Sequence, residues 1–156
     1  MDLKGEYRLP ASRETVWAKL NDPEVLKRCI PGCEELEMTG ENEMKATVTA
    51  KVGPVKAKFN GEVRLENINA PEKYSIVGEG KRGIAGFAKG GADVHLAEDG
   101  AETILTYNVN AQVGGKIAQL GGRLIDSSAK KLSGQFFDNF AKEVEAAETG
   151  APVAEA

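Results

Sequence analysis

The side chains able to do chemistry are few, and their spacing excludes more than it offers. His95 is the chain's single imidazole. It follows Val94 in an alternating segment that places it on the polar face, where it reads as a solvated residue and not as a general base. Cys29 and Cys33 flank Ile30-Pro31-Gly32. That spacing is wrong for a CxxC dithiol, and a zinc site would need more thiolate or imidazole ligands. Structural free thiols are expected, with a redox pair as the sharper alternative, and no metal site is expected. Gly78-Glu79-Gly80-Lys81-Arg82-Gly83 matches G-x-G-x-x-G. The dinucleotide fingerprint needs a helix to follow it, whose N-terminus holds the pyrophosphate. Here residues 84–91 are glycine-rich and run into another strand, which predicts a hairpin with bulges. Neither a Ser-His-Asp set nor a pair of inward carboxylates for acid–base work can be read from the chain. What remains are the hydroxyls of Tyr7, Tyr74, Tyr107 and Thr103. Each could donate to the carbonyl of a bound molecule or satisfy a backbone group.

Behind these residues stand 156 residues of ordinary globular composition, 41% hydrophobic and 28% charged, enough for one domain over 1–148 with a disordered tail over 149–156. The net charge is −4 and the pI about 5.2, against the basic face expected of a nucleic-acid binder. MDLKGEYRLP has no apolar run after a basic start, and no segment approaches a membrane span. A cytoplasmic location is expected, with the inner face of the membrane as the place to which a surface patch would hold the chain.

The elements follow from periodicity. Leu3, Gly5, Tyr7 and Leu9 share one face of a first strand. Ser12 reads as an N-cap ahead of a short helix carrying Val16, Trp17 and Leu20. Asp22 and Pro23 open a second short helix that ends before Pro31-Gly32. Period-2 alternation then runs through Met44–Val52 and Val55–Leu65, continues less cleanly in Tyr74–Gly80 and Ala88–Leu96, and returns in Thr103–Val113. Strands this polar on one face belong to an antiparallel sheet covered on the other face only. After Gly114-Gly115 the period becomes 3.6, with Ile117, Leu120, Leu124, Leu132, Phe136, Phe140 and Val144 at three- and four-residue steps. This predicts one amphipathic helix of about 30 residues. The fold class is α+β: a curved antiparallel sheet wrapped around a long C-terminal helix, a helix-grip architecture.

The inner register is thin. Ala46, Ala50, Ala57, Gly61, Gly78, Gly80, Ala88, Gly90, Ala92 and Ala111 all fall on it. Interiors pack near crystal density, so small residues need large ones opposite. The first half of the helix offers only Ile117, Leu120, Gly121, Gly122 and Leu124. Either the helix sits close, or an apolar cavity lies beneath it. On the cavity reading the ligand-binding residues are Tyr7, Phe59, Tyr74, Ile76, Ala92, Tyr107, Ile117, Leu120 and Leu124. The mouth lies between the 78–91 hairpin and the helix start. Lys81, Arg82, Ile84 and Phe87, with Lys89, Lys116 and Arg123 nearby, could dock that mouth on a membrane or an acidic partner. The alternative is a solvated loop with scattered charges.

The run Ala11-Ser12-Arg13-Glu14-Thr15-Val16-Trp17, then Leu20, Asp22-Pro23-Glu24 and Cys29-Ile30-Pro31-Gly32-Cys33-Glu34, resembles the carbon monoxide dehydrogenase CoxG family. So do Lys51-Val52-Gly53-Pro54-Val55 with Phe59 and Gly61, the glycine-rich 78–91 segment, Thr103 to Tyr107, and the glycine-rich helix start with Phe136-Phe137. The resemblance covers about residues 2 to 145 and places the chain in the START-like, polyketide-cyclase-like superfamily. It implies a non-catalytic accessory protein of a molybdenum hydroxylase of the carbon monoxide dehydrogenase type, linking the enzyme to the membrane or the quinone pool. It also implies a bound quinone or lipid in place of any cofactor. The family supplies no ligand contacts residue by residue. The alternatives are a cyclase- or dehydratase-like enzyme on the same fold, and an assembly factor with a filled core.

Overall fold

The computed structural model describes residues 1–81 and 86–149. Its elements are β1 (Asp2–Leu9), α1 (Arg13–Leu20), α2 (Pro23–Cys29), β2 (Cys33–Gly40), β3 (Glu43–Val52), β4 (Val55–Asn69), β5 (Lys73–Lys81), β6 (Phe87–Asp99), β7 (Glu102–Gly114), a 3-10 turn (Gly115–Leu120) and α3 (Gly122–Thr149). The strands form one seven-stranded sheet in the order β1-β7-β6-β5-β4-β3-β2. Every neighbouring pair is antiparallel. This is the α+β helix-grip fold expected from the pattern. The expected tail falls, beyond Thr149, outside the described residues.

The short helices start where their caps dictate. Ser12 Oγ accepts from the Thr15 amide at 3.3 Å, and Asp22 Oδ1 accepts from the Glu24 amide at 3.0 Å with Pro23 in the first turn. Together α1 and α2 close one end of the sheet. Val16, Leu20, Val25 and Cys29 bury themselves there with Leu9, Leu96, Leu105, Phe140 and Val144. Thr103, also sealed in this core, donates its hydroxyl to the Ala11 carbonyl at 2.8 Å. Its hydroxyl is therefore committed to the backbone and not to a ligand.

Two elements differ from expectation. β2 is a full strand on the sheet edge, although Cys33–Gly40 shows no clean alternation. The pairing with β3 slips between Cys33 and Glu35 and again between Met38 and Gly40, and each slip scrambles the period-2 signal. The long helix is also not continuous. Ile117 and Leu120 sit on the 3-10 turn, and Gly121, at φ 92°, breaks the chain before α3 begins at Gly122. A left-handed backbone is open to glycine at little cost, so Gly121 supplies the corner.

Candidate functional site

Cross-strand partners share a face, so the register lays the inner surface out in rows. Leu96 and Leu105 lie side by side near the closed end, both buried. The next row joins Tyr74, Val94, Tyr107 and Gly5. Beyond it come Leu65, Ile76, Ala92, Val109 and Leu3. Then the side chains shrink: Met44, Val63, Gly78, Gly90 and Ala111 share one row. Ala46, Gly61, Gly80, Ala88 and Val113 share the last. In that last row no residue is buried, and Ala88 is exposed although it faces inward. A Cβ added at Gly80 would meet nothing within 4 Å, and one at Gly61 only carbonyl oxygens at 3.7 and 4.0 Å.

The helix does not fill this end. Its second half descends on the sheet: Phe137 stacks on Tyr7 with ring centroids 4.2 Å apart and on Tyr107 at 5.4 Å. Its beginning touches turns instead. Leu124 packs against Gly53 in the β3–β4 turn, where a Cβ would lie 2.4 Å from it, and the Gly53 amide donates to Ser128 Oγ at 3.2 Å. Ile117, on the 3-10 turn, packs in the same way against Gly86. Between these anchor points the rows of alanine and glycine form an apolar groove, half open to solvent, with no charged residue on its inner register.

The expected ligand-binding residues divide along this gradient. Phe59, Ile76, Ala92, Leu120 and Leu124 are half-buried around the groove, and Ile117 is buried at its rim. Tyr7 and Tyr107 are half-buried at the inner end, against Phe137. Tyr74 lies deeper, 5% exposed, with Trp17 edge-on to its ring at 5.2 Å. Among the described residues, none of these three phenols has a hydrogen-bond partner. Burial raises the Tyr74 hydroxyl pKa; burial, then Tyr107 and Asp138, raise that of Tyr7. Both therefore stay protonated and able to donate. Of the expected docking residues, Phe87 is 40% exposed. Arg82 and Ile84 lie outside the described residues.

The facing pair Gly61 and Gly80, and Phe137, were not singled out as site residues from the sequence. The glycines were visible as small inner-register positions, but pairing alone shows that they lie side by side. Gly5 has a role of the same kind. The Tyr107 ring lies flat where a Gly5 Cβ would be, about 2.4 Å away. Gly5→Ala is expected to push Tyr107 off Phe137 and cost about 1–3 kcal/mol in chemical denaturation. An unchanged midpoint would show that the ring moves freely.

The remaining candidates are poor chemistry. Cys29 and Cys33 are both free. Burial, then Glu143, pushes the Cys29 thiol up to about 12, and burial raises Cys33 too, so neither is a ready thiolate. His95, exposed on the outer face, makes its contact with Glu72 at 3.5 Å, while Ser75 donates to Asp93 at 2.7 Å. Among the described residues no group of three His, Cys, Asp or Glu side chains is gathered that could hold a metal. None of the described helices is long and apolar enough to cross a membrane.

A conserved protein from Geobacillus kaustophilus has the same fold, with a TM-score of 0.89 and 34% identity over 94% of this chain and 97% of its own. A START superfamily protein from Mycobacterium smegmatis superposes with a TM-score of 0.73 at 12% identity, covering 94% and 98% of the two chains. The Zhui aromatase/cyclase from Streptomyces sp. R1128 does so with a TM-score of 0.64 at 14% identity, covering 94% of each chain. Among curated proteins none matches this sequence. The two distant likenesses fix the fold as START-like. The model of the carbon monoxide dehydrogenase CoxG family matches residues 5–145, nearly the whole described chain, and with it this protein belongs to that family.

Proposed function

We propose that this chain is a non-catalytic carrier that holds a lipophilic ligand, such as an isoprenoid quinone, in the groove between sheet and helix. In this reading it serves a molybdenum hydroxylase of the carbon monoxide dehydrogenase type and links that enzyme to the quinone pool. One observation carries the ligand reading: the apolar rows from Leu65 to Val113 face inward yet stay half-buried, while the rows at the closed end are sealed. Apolar surface left open inside a fold is stabilised by a guest at about 25 cal/mol per Å² covered, less the cost of ordering it. Unpartnered phenols at the inner end of the groove favour a guest with a hydrogen-bond acceptor at its head and an apolar tail behind it. A cyclase needs polar groups converging on a reacting carbon. The inner register has the three phenols but neither a charged residue nor an imidazole beside them, which favours carriage over catalysis. The working place of such a carrier is the cytoplasm, at the inner face of the membrane.

Native mass spectrometry with solvent extraction, on protein purified from its own host, tests this. The expected result is a co-purifying isoprenoid quinone near one-to-one, together with recovery of a molybdenum hydroxylase in a mild affinity purification. An empty protein that also refuses added quinone and lipid would overturn the carrier reading.

A further inference from the structure

Charge is distributed along this chain in a way that its net value of −4 conceals. Residues 46–61, 80–88 and 112–131 carry nine lysines and arginines against one acid, Asp126; the rest of the chain carries eleven against twenty-three. The topology brings these three segments to one place, the open end of the groove. The β3–β4 turn, the ends of β5 and β7, the start of β6, the 3-10 turn and the start of α3 all meet there. Lys51 and Lys56 flank the turn, Lys116 sits on the 3-10 turn, and Arg123, Lys130 and Lys131 line the first turns of α3. All six are exposed, and among the described residues none has an ion-pair partner. Lys58, in the same region, reaches Glu34 at 3.4 Å.

These cations do not serve helix stability. α1 and α2 begin with side-chain caps and an acid in the first turn, Glu14 and Glu24. The 3-10 turn and α3 have no acid in the first turn, and Gly114 supplies no side-chain cap. Arg123 instead puts a positive charge at the positive end of a 28-residue helix, which opposes its dipole. Stability at this end is given up for positive potential.

From this segregation we infer that the open end of the groove is a docking face for an anionic lipid bilayer, with the mouth turned toward the membrane. The inference rests on the carrier reading for its purpose, since a lipophilic guest enters and leaves through a bilayer, but its physical grounds are separate. The occupant must be diffuse and negative, because six of the seven named cations are lysines, point charges on flexible stems rather than the fork that reads one carboxylate or phosphate. It must also accept apolar groups. Phe87 is 40% exposed and lies across Gly114 at the centre of the ring, and Pro54 is exposed at the tip of the β3–β4 turn. Lysines around an exposed aromatic and an apolar opening suit the headgroup layer, where their stems lie along apolar surface while their ammonium groups reach phosphate. The acidic remainder of the protein is repelled by the same surface, so the field orients the molecule mouth-down.

Vesicle co-sedimentation of the full-length chain tests this, using phosphatidylcholine with and without phosphatidylglycerol. Binding is expected only with the anionic lipid and is expected to fade as salt rises. Each cation at such a surface raises partitioning roughly fivefold, so the quadruple variant Lys51→Ala, Lys56→Ala, Lys116→Ala, Arg123→Ala is expected to lose at least about a hundredfold. The variant Lys4→Ala, Lys27→Ala, Lys73→Ala, Lys142→Ala removes equal charge elsewhere and is expected to bind nearly as the parent does. Thermal melts establish that both variants are folded. Uptake of quinone from detergent micelles is read in parallel and is expected to be unchanged in the first variant, so failure to dock is distinguishable from failure to carry. Equal loss in the two variants, equal binding to neutral vesicles, or retention on duplex DNA without retention on vesicles would each overturn the assignment.

Discussion

Replacing Gly80 by leucine is expected to abolish uptake of a lipophilic guest while leaving the fold as stable as before or slightly more so. Gly80 lies on the inner register of β5, paired with Gly61 on one side and Ala88 on the other. A Cβ there meets nothing within 4 Å, and the backbone is not in the left-handed region. Leucine therefore enters the groove without displacing protein atoms. A glycine within a strand costs about 0.5–1 kcal/mol relative to alanine through chain entropy, and the substitution recovers part of that. The guest has to share the space with four added carbons. If it overpacks by the 1–3 kcal/mol usual for a filled site, affinity falls at least about tenfold. Quinone titration and a denaturant melt on the same preparation read the two effects with opposite signs. The neighbouring glycines serve as controls. A Cβ at Gly78 would lie 2.5 Å from a Val63 methyl, and one at Gly90 2.1 Å from the Asn110 carbonyl oxygen, so leucine at either is expected to destabilise the sheet. Full uptake by Gly80→Leu would move the guest out of this groove. A chain that served only in assembly would lose nothing on this substitution.

The sites where that experiment is read were partly legible before the fold was known. Alternation along β3, β4 and β7 assigned Ala46, Gly61 and Ala111 to the inner face because side chains in strands alternate with period 2. The pattern cannot tell whether a thin face meets a close helix or an open space, because that depends on where the helix lands. Its landing is set by Leu124 against Gly53 and Ile117 against Gly86, contacts between residues more than thirty positions apart that no local period records. The break at Gly121 was hidden for a related reason. Ile117, Leu120 and Leu124 keep three- and four-residue steps across it, so the apolar spacing reads as continuous although the backbone turns. β2 was invisible because its slips of register put acids where alternation calls for apolar residues; an edge strand gains from such charges, which discourage pairing with another chain. Tyr74 and Thr103 show the limit of residue type as a guide. Both are hydroxyls on the inner register, yet Thr103 is committed to the Ala11 carbonyl, while the Tyr74 hydroxyl has no partner among the described residues.

The groove stays open only if the other half of α3 is held firmly, and Arg28 is expected to be a principal anchor. Arg28 Nε and one terminal nitrogen donate to the two carboxylate oxygens of Glu143 at 2.7 and 2.9 Å, tying the end of α2 to α3. Asn139 adds a hydrogen bond to the Cys29 carbonyl at 3.1 Å. Glu143 is 6% exposed, whereas the Arg28 side chain is 48% exposed. The two partners are therefore not equivalent: removing Arg28 strands a buried carboxylate, while removing the carboxylate leaves a guanidinium that water can reach. Losing one partner of a buried pair costs about 3–5 kcal/mol; with Arg28 half in solvent, Arg28→Ala is expected to cost about 2–3 kcal/mol near neutral pH. Glu143→Gln, which keeps an acceptor, is expected to cost about 1 kcal/mol. The pH dependence carries the sign. The hydrogen bond from Arg28, foremost, holds the Glu143 carboxyl below its usual range. The pair's contribution is therefore complete above the unfolded carboxylate value of about 4.3 and is lost as pH falls through the lower folded value. In Arg28→Ala the carboxyl keeps only its burial, which favours the protonated form, so the penalty is expected to shrink toward about pH 3, where parent and variant both carry it neutral. Urea melts of both proteins across that range measure it. A penalty that stays constant with pH would mean that Arg28 acts through the packing of its stem, and that α3 is held by Phe140, Val144 and their neighbours alone.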